Sequence, residues 1–264
     1  MGSYSCADPS RTPGQTARAV LDALLTVLLA PACAVCASAL SEPTRGPICT
    51  NCWHRVPRLT PPLCDRCSDP LPSSRVLRVA RPRCPRCRRT RSAISRSRAV
   101  GPYEGPLRQL VHLLKYDRRH TLAVRLGQLM RQHGAAVLGD ADCVVPVPLH
   151  PRRRRARGFN QATELAAQLG LPVVDALRRT VATRPQTELP ASRRHRNVRG
   201  VFAPARGPAW RPIASRIRGA RVVVVDDVVT TGATVEACAR VLRQLGARDV
   251  RVLTLARVAR SRST

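Results

Sequence analysis

Four C-x-x-C pairs within the first third of this sequence constrain its fold more than any other feature. They are Cys33/Cys36, Cys49/Cys52, Cys64/Cys67 and Cys84/Cys87. Thiolates at this spacing are the usual ligands of tetrahedral structural zinc, and a site closed by four of them has no open position for catalysis. A disulfide framework is the alternative, but it suits small secreted domains rather than a chain of 264 residues. The sequence therefore predicts two structural Zn²⁺ ions.

The order of the pairs indicates how they share the metal. We expect the first two pairs to bind one ion and the last two pairs to bind the other. A cross-braced arrangement has the same spacing and stays open at this point. Beyond these pairs the sequence shows no internal repeat. Of the remaining cysteines, Cys143 and Cys238 fall in a predicted strand and a predicted helix and are expected to be small core residues.

A second stretch, VVVVDDVVTTGAT at residues 222–234, predicts a ligand site. A run of four valines without polar alternation is typical of a buried parallel strand. Asp226 and Asp227 follow at its carboxyl end, where α/β sheets bind ligands and where carboxylates can hold hydroxyl groups or a divalent cation. The loop ahead of the next helix offers a phosphate its hydroxyls, its backbone N–H groups and a positive dipole end. Its residues are Thr230, Thr231, Gly232, Ala233 and Thr234.

The rest of the chain predicts an α/β domain behind the cysteine-rich module. Residues 1–17 lack periodicity and are predicted to be disordered. A short helix from about 18 to 30 and the zinc module are predicted within 18–90. The polar stretch 88–98 is interpreted as a linker, the second domain as 99–258, and 259–264 as a tail.

Within the second domain, apolar spacing predicts helices and short apolar runs predict strands. Helices are predicted at about 107–114, 122–130, 160–169 and 234–245, and strands at 142–147, 171–174, the valine run and 249–258. Strands that alternate with helices form a parallel sheet, so the predicted fold class is α/β.

The net charge of +30 points to a polyanionic partner without deciding for one. The chain has 46 Lys and Arg residues, of which only Lys115 is a lysine. Arginine-rich surfaces bind phosphate backbones because they release counterions. The base composition of a genome can produce the same excess of arginine. Aromatic residues make up 3% of the sequence, which argues against an extended base-stacking platform.

The apolar stretch at 19–33 resembles a signal peptide but is better explained as a helix. Asp22 interrupts it, and its apolar residues fit one helical stripe. That stripe consists of Val20, Leu21, Leu24, Leu25, Leu28 and Leu29. No stretch reaches the ~20 apolar residues that span a bilayer. We therefore expect a cytoplasmic protein without a transmembrane segment.

Long segments of the chain resemble a known family. Residues 222–234 resemble the PRPP-binding motif of type I phosphoribosyltransferases. Segments 101–130, 144–170 and 183–202 closely resemble the ComF family of competence-associated proteins; the second of them reads VVPVPLHPRRRRARGFNQATELAAQLG. The resemblance covers nearly everything from Leu21 to Val258. It implies a double zinc ribbon ahead of a type I phosphoribosyltransferase-like domain with a parallel sheet.

The resemblance also implies ligand contacts beyond the aspartates and the threonine loop. The chain after the strand at 142–147 would line the diphosphate side, where arginine side chains match phosphate oxygens. The residues on that side would be Pro146, Val147, Pro148, Leu149, His150, Arg152, Arg157, Asn160 and Gln161. Gln186, Arg193 and Asn197 would belong to a mobile loop that closes over the substrate. His150 would be either a general base or, as is more usual for a lone histidine, a structural hydrogen-bonding residue.

Three functions fit these observations. The first, which we expect, is a protein that binds PRPP or a related phosphoribosyl ligand with Mg²⁺ and handles single-stranded DNA, with the DNA-uptake machinery, in natural competence. The second is an active phosphoribosyltransferase that transfers phosphoribose from PRPP to a nitrogenous base in nucleotide salvage. The third is a scaffold that keeps the ligand site as a sensor. A fold-level resemblance does not establish transfer activity.

Overall fold

The computed structural model describes residues 12–72, 82–116, 120–180, 200–207 and 210–258. The chain divides into two compact units, Met1–Arg55 and Val56–Thr264. The sequence analysis instead drew the boundary between 90 and 99. The structure divides earlier because the second cysteine set is bonded to the sheet that follows it. Among the described residues, no helix has both the length and the apolar character needed to cross a membrane.

The first unit consists of short elements around the first cysteine set. Helix α1 (Pro13–Leu29) is followed by a 3₁₀ turn (Pro43–Arg45) and helix α2 (Thr50–His54). Helix α1 begins five residues before the predicted start at 18, because Pro13 favours the first helical position and the N–H of Thr12 bonds to Gln15 Oε1 at 3.0 Å.

The apolar stripe predicted on this helix is largely exposed in the structure. Leu24 is 54% exposed, Leu28 is 76% exposed and Leu29 is 70% exposed. The polar Asp22, which interrupts the stripe, is buried instead and accepts the N–H of Thr44 at 2.7 Å. The helix is therefore attached to its unit by a polar contact.

The second unit is built on a four-stranded parallel sheet, which confirms the predicted α/β fold class. Its strands are β1 (Arg96–Pro102), β2 (Cys143–Pro146), β5 (Arg221–Val229) and β6 (Asp249–Arg257), in the spatial order β1-β6-β5-β2. A separate antiparallel pair joins β3 (Leu177–Arg179) to β4 (Phe202–Pro204). Strand β1 begins inside the stretch 88–98 that was interpreted as a linker, because that stretch pairs with β6 from Arg96 onward.

Helices connect and cover these strands. They are α3 (Pro85–Arg89), α4 (Gly105–Tyr116), α5 (His120–His133), α6 (Ala135–Leu138), α7 (Pro151–Arg157), α8 (Gln161–Ala166), α9 (Trp210–Ile217) and α10 (Ala233–Gln244). The strand predicted at 171–174 is reduced to one parallel bridge between Val173 and Val144. Helix α8 ends earlier than predicted, before Gly170 turns the chain with a φ of 75°.

Buried side chains lie on both faces of the sheet. Val222 and Val224 of β5 pack in one cluster with Cys143 and Cys238. Val223 is equally buried and, because successive strand residues point to opposite faces, it faces the other layer. Helices α4, α5 and α8 contact the strands there. Both cysteines are thus core residues, as predicted.

Candidate functional site

Strand β5 runs further than the valine run predicts and contains both aspartates. Its pairing with β2 ends at Val225, opposite Pro146. Its pairing with β6 continues to Val229, opposite Arg257. Asp226 and Asp227 therefore lie beyond the end of β2 but inside the ladder with β6. Both aspartates thus lie near the carboxyl end of the strand, which is longer than the valine run because the nine-residue β6 extends the ladder past the four-residue β2.

The two aspartates point to opposite faces of the sheet, as neighbouring strand residues do. Asp227 forms an ion pair with Lys115 of α4, with Nζ 2.9 Å from Oδ2. Asp226 follows Val222 and Val224 on the face that carries Cys238. Burial and then the charge of Asp226 raise the pKa of that thiol. The N–H of Asp227 donates to Asp226 Oδ1 at 2.9 Å, which fixes the first carboxylate.

Asp226 and the ion pair between Lys115 and Asp227 have different electrostatic environments. Burial and the neighbouring charge of Asp227 raise the pKa of Asp226 well above its ordinary value. For Lys115, burial opposes the charged form, but Asp227 and then Asp226 outweigh it, so its pKa is raised. Lys115 is therefore a fixed cation beside Asp227, whereas burial makes the charged form of Asp226 unfavourable.

Lys115 contacts the candidate site but is not among the residues predicted from the sequence. It lies 112 residues before Asp227, and no local pattern relates the two. The available signal was its singularity, since it is the one lysine in a chain of 46 cationic side chains. On α4 it lies one turn after His112, whose Nε2 is 3.1 Å from the hydroxyl of Tyr103.

Because Asp226 carries a raised pKa, the folded state binds more protons there than the unfolded state does. Stability must then fall as the pH rises from the unfolded value through the folded pKa. We expect Asp226→Asn, which keeps the Oδ1 acceptor, to raise the free energy of unfolding at pH 7 by about 1 kcal/mol. The gain should shrink toward zero near pH 4. Urea unfolding across this pH range measures it, and a gain that grows on acidification would contradict the assignment.

The predicted phosphate loop forms the turn between β5 and α10. Gly232 caps the helix with a φ of 83°, a left-handed conformation that favours glycine, and a Cβ at this position would lie 3.9 Å from Cγ2 of Val229, its nearest neighbour. Glycine is thus needed here for conformation rather than for space. The N–H of Ala233 donates to Thr231 Oγ1 at 3.3 Å. Thr230 and Thr234 are half-buried, so the loop retains accessible donors at the helix N-terminus.

The predicted diphosphate side lies next to the aspartates. The N–H of Val147 donates to the carbonyl of Val225 at 2.9 Å, so the segment after β2 begins beside Asp226. Pro146 and Val147 are buried, whereas Pro148 and Leu149 are half-buried. The structure thus brings this segment together with the end of β5.

His150 and Asn160 have structural tasks in this segment. Nδ1 of His150 accepts the N–H of Arg152 at 3.2 Å and caps α7. Partial desolvation and the nearby arginines, Arg152 first, lower the pKa of His150, which favours the neutral ring. Asn160 caps α8 and also donates from Nδ2 to the carbonyl of Val147 at 3.1 Å.

The other residues predicted here differ in accessibility. Arg152 is exposed and Arg157 is half-buried. Gln161 is buried, and its Nε2 has no hydrogen-bond partner among the described residues. Gln186, Arg193 and Asn197, predicted to belong to a mobile loop, lie outside the described residues.

The eight paired cysteines form two separate four-sulfur groups, as predicted. One consists of Cys33, Cys36, Cys49 and Cys52, and the other of Cys64, Cys67, Cys84 and Cys87; within each, the ligand atoms lie within 4.8 Å of one another. The cross-braced alternative is thereby excluded. Two sulfurs are 3.7 Å apart in the first group and 3.8 Å apart in the second. Tetrahedral zinc with bonds of about 2.3 Å requires a separation of about 3.8 Å. Both groups therefore fit structural zinc.

The two groups are copies of one local structure. The N–H of the first cysteine donates to a carbonyl five residues on at 2.7 Å in both, from Cys33 to Ser38 and from Cys64 to Asp69. Each loop then turns at a left-handed residue, Ala37 with a φ of 59° or Ser68 with a φ of 60°. The sequence analysis found no repeat beyond the cysteine pairs, because the copies share backbone hydrogen bonds rather than side chains.

The second group is bonded to the first strand of the sheet. Asp65 is buried and forms ion pairs with Arg96 at 3.0 Å and Arg98 at 2.7 Å. Its carbonyl accepts the N–H of Ser97 at 3.0 Å, and the hydroxyl of Ser68 donates to the carbonyl of Ser97 at 2.9 Å. These bonds explain why the second group belongs to the same compact unit as the sheet.

A buried arginine joins the second group to the last strand as well. Arg257 ends β6, is 3% exposed, and donates to the carboxylate of Asp69 and to the carbonyl of Cys67. It lies opposite Val229, the residue just before the threonine loop, and the carbonyl of Val229 accepts the N–H of Val258 at 2.9 Å. The zinc group, β6 and the base of the phosphate loop are thus linked by direct bonds.

Two family models match the chain. A model described as a double zinc ribbon domain matches residues 24–88, and one described as a phosphoribosyl transferase domain matches residues 155–264. The first covers both cysteine groups, and the second covers the aspartates and the threonine loop.

Relatives match most of the chain. A protein of Salmonella typhimurium called DNA utilization protein YhgH is 34% identical over 237 residues, which are 85% of this chain and 89% of that protein. Competence protein F of Haemophilus influenzae is 30% identical over 60% of this chain and 71% of its own length. Among solved structures, a purine phosphoribosyltransferase from Pyrococcus horikoshii has 23% identity and a TM-score of 0.26, over 51% of this chain and 70% of that one.

Proposed function

Because the chain belongs to the family of the YhgH and ComF proteins, we propose that it binds PRPP or a related phosphoribosyl ligand with Mg²⁺. We also propose that it handles single-stranded DNA during DNA uptake. Its double zinc ribbon and its phosphoribosyltransferase domain are the parts that would carry these functions. The names of the relatives, DNA utilization protein and competence protein, support the second part. The cytoplasm is the compartment in which we place this activity.

One observation carries the ligand proposal: two carboxylates and a phosphate loop share the carboxyl end of one strand. In the proposed complex, the threonine loop and the N-terminus of α10 hold the 5-phosphate of the ligand. Asp226 and Asp227 accept hydrogen bonds from the ribose hydroxyls, and the segment from Pro146 to His150 lies on the side of the diphosphate.

The electrostatic design of the site suits such a ligand. Mg²⁺ binds through one or two carboxylates together with substrate phosphates, so here it would neutralise the diphosphate close to the aspartates. Asp226 gains most from ligand binding, since a hydroxyl donor or a cation compensates a carboxylate that burial disfavours. Lys115 keeps its ion pair with Asp227 and orients it toward the same ligand.

Calorimetric titration tests this proposal. The purified zinc-loaded chain is titrated with PRPP with and without Mg²⁺, and with ribose 5-phosphate and nucleoside monophosphates as comparison ligands. We expect PRPP to bind in a magnesium-dependent manner and more tightly than ribose 5-phosphate, because it adds a diphosphate contact. Absence of binding by every phosphoribosyl ligand would refute the site. Release of pyrophosphate in the presence of a base would show the additional transfer activity.

A further inference from the structure

A cavity of about 230 Å³ lies within the second unit, apart from the aspartates. Residues of the second cysteine group, the segment after it and the first half of α10 line the cavity. It shares Thr231 and Gly232 with the proposed phosphoribosyl site, but Asp226, Asp227 and Lys115 do not line it. The cavity is therefore a neighbour of that site rather than the site itself.

The wall of this cavity is basic. Five arginines line it, namely Arg66, Arg86, Arg91, Arg240 and Arg257, against a single carboxylate, Glu236. That carboxylate is already occupied, since it accepts the hydroxyl of Ser92 at 2.5 Å and the N–H of Ala93 at 3.0 Å. It also pairs with Arg240 at 3.3 Å. Arg257 also pairs with a carboxylate outside the wall, that of Asp69. The other three arginines form no ion pair among the described residues.

Two of these arginines come from the zinc-binding pairs themselves. Arg66 and Arg86 precede the last cysteine in Cys64–Cys67 and Cys84–Cys87. The first cysteine group has the same backbone structure, yet Val35 and Asn51 occupy the equivalent positions. Zinc binding therefore does not require arginine there, and the second copy differs from the first in a way that serves the cavity.

Two guanidinium groups of the wall keep one unsatisfied nitrogen each, although their other nitrogens have acceptors. Nε of Arg66 and Nη2 of Arg257 are buried without a hydrogen-bond partner among the described residues. Arg86 and Arg91 are exposed, so their guanidinium groups are accessible to a ligand. Unpaired buried donors are costly, and an anion is the group that relieves this cost.

We propose that this cavity binds a phosphomonoester group, separate from the phosphoribosyl ligand. Arginine is the side chain best suited to phosphate oxygens, which it can bind bidentately. Pockets that enclose drug-sized ligands measure about 300 to 1,000 Å³, so this cavity is smaller than they are. Its size suits a phosphate group together with one sugar. The phosphate can come from a free sugar phosphate or from the 5′ end of a DNA strand.

Two oligonucleotides that differ only in a 5′-phosphate test the proposal, and ribose 5-phosphate distinguishes the two sources. Short oligothymidylates with and without a 5′-phosphate, and ribose 5-phosphate, are titrated into the zinc-loaded full chain at constant ionic strength. We expect the 5′-phosphate to tighten binding by about tenfold, the effect of one charge-assisted contact. If added ribose 5-phosphate removes the difference in affinity between the two oligonucleotides, the sugar phosphate is also a ligand of this cavity.

Two double variants test whether the 5′-phosphate binds in this cavity. Arg86→Gln/Arg91→Gln should abolish the preference for the 5′-phosphate, whereas Arg89→Gln/Arg218→Gln, which removes the same charge from exposed residues outside the cavity, should retain it. Zinc content of two ions per chain verifies the fold of each variant. A preference that persists in the first variant, or that disappears equally in both, overturns the proposal. PRPP titration of the same variants should be unchanged, so failure of the phosphoribosyl site and failure of the cavity are separate results.

Discussion

Replacing Cys64 and Cys67 by serine is expected to weaken PRPP binding by roughly tenfold or more, which corresponds to about 1.4 kcal/mol. The same replacement at Cys33 and Cys36 should leave PRPP affinity within about twofold. Each double variant should lose one zinc ion, so elemental analysis verifies that the changes are equivalent at the metal. Calorimetry with PRPP and Mg²⁺ measures the difference between them.

The physical reason is the placement of Arg257. Loss of the second zinc releases the loop that carries Cys67 and Asp69, because such loops fold only around their metal. Arg257, which is 3% exposed, then loses both acceptors. Removing the partner of a buried charge costs about 3 to 5 kcal/mol. The cost falls on the end of β6, which pairs with Val229 at the base of the phosphate loop.

The first cysteine group is the matched control. It has the same backbone hydrogen bonds but belongs to the other compact unit. Equal losses of PRPP affinity in the two double variants would show that zinc acts on the ligand site only through general stability. An unchanged affinity after loss of the second ion would show that Arg257 does not transmit the effect.

Asp227→Asn is expected to weaken PRPP binding by about 100-fold at saturating Mg²⁺, because a charge-assisted hydrogen bond and a site for the cation are both lost. Lys115→Met should weaken it as well, through a different cause. Without the ammonium 2.9 Å away, the half-buried carboxylate of Asp227 loses the partner that holds it in place. The carboxylate itself remains, so the loss should be smaller, roughly tenfold.

The size of the loss separates the two variants. Asp227→Asn keeps no carboxylate that can hold the cation, so its loss should be the larger of the two. Asp140→Asn is the control, since this carboxylate is 56% exposed and pairs with Arg221 and Arg251 at the other end of the strands. A Lys115→Met protein that binds PRPP as tightly as the unchanged chain would contradict the proposed role of the ion pair.

Much of the candidate site was predictable from the sequence, because strand, loop and helix are adjacent along the chain. The valine run, the left-handed glycine and the helix after it are local features, and the structure has each of them. The extent of β5 was not predictable, since it is set by β6, whose own length only pairing reveals. The ion pair between Lys115 and Asp227 was missed for a similar reason, because no periodicity relates residues on separate elements.

The zinc groups also show that contacts between distant residues cannot be predicted from the sequence alone. Spacing identified the eight ligands, but it left the sharing of ions open until the sulfurs were seen together. The division of the chain after Arg55 depends on buried bonds from Asp65 to β1 and from Arg257 to the second group. These bonds use charged residues that, in sequence, cannot be distinguished from the many arginines on the surface.

The pairing of Lys115 with Asp227 has a chemical consequence for the whole molecule. Lys115 carries the sole side-chain primary amine in the sequence, while every other cationic side chain apart from histidine is a guanidinium. Amine acetylation modifies lysine ammonium groups and not guanidinium groups. Acetylation of side-chain amines is therefore confined to one atom, the Nζ that contacts Asp227. Neutralising it would alter the ligand site while the basic surface kept its charge.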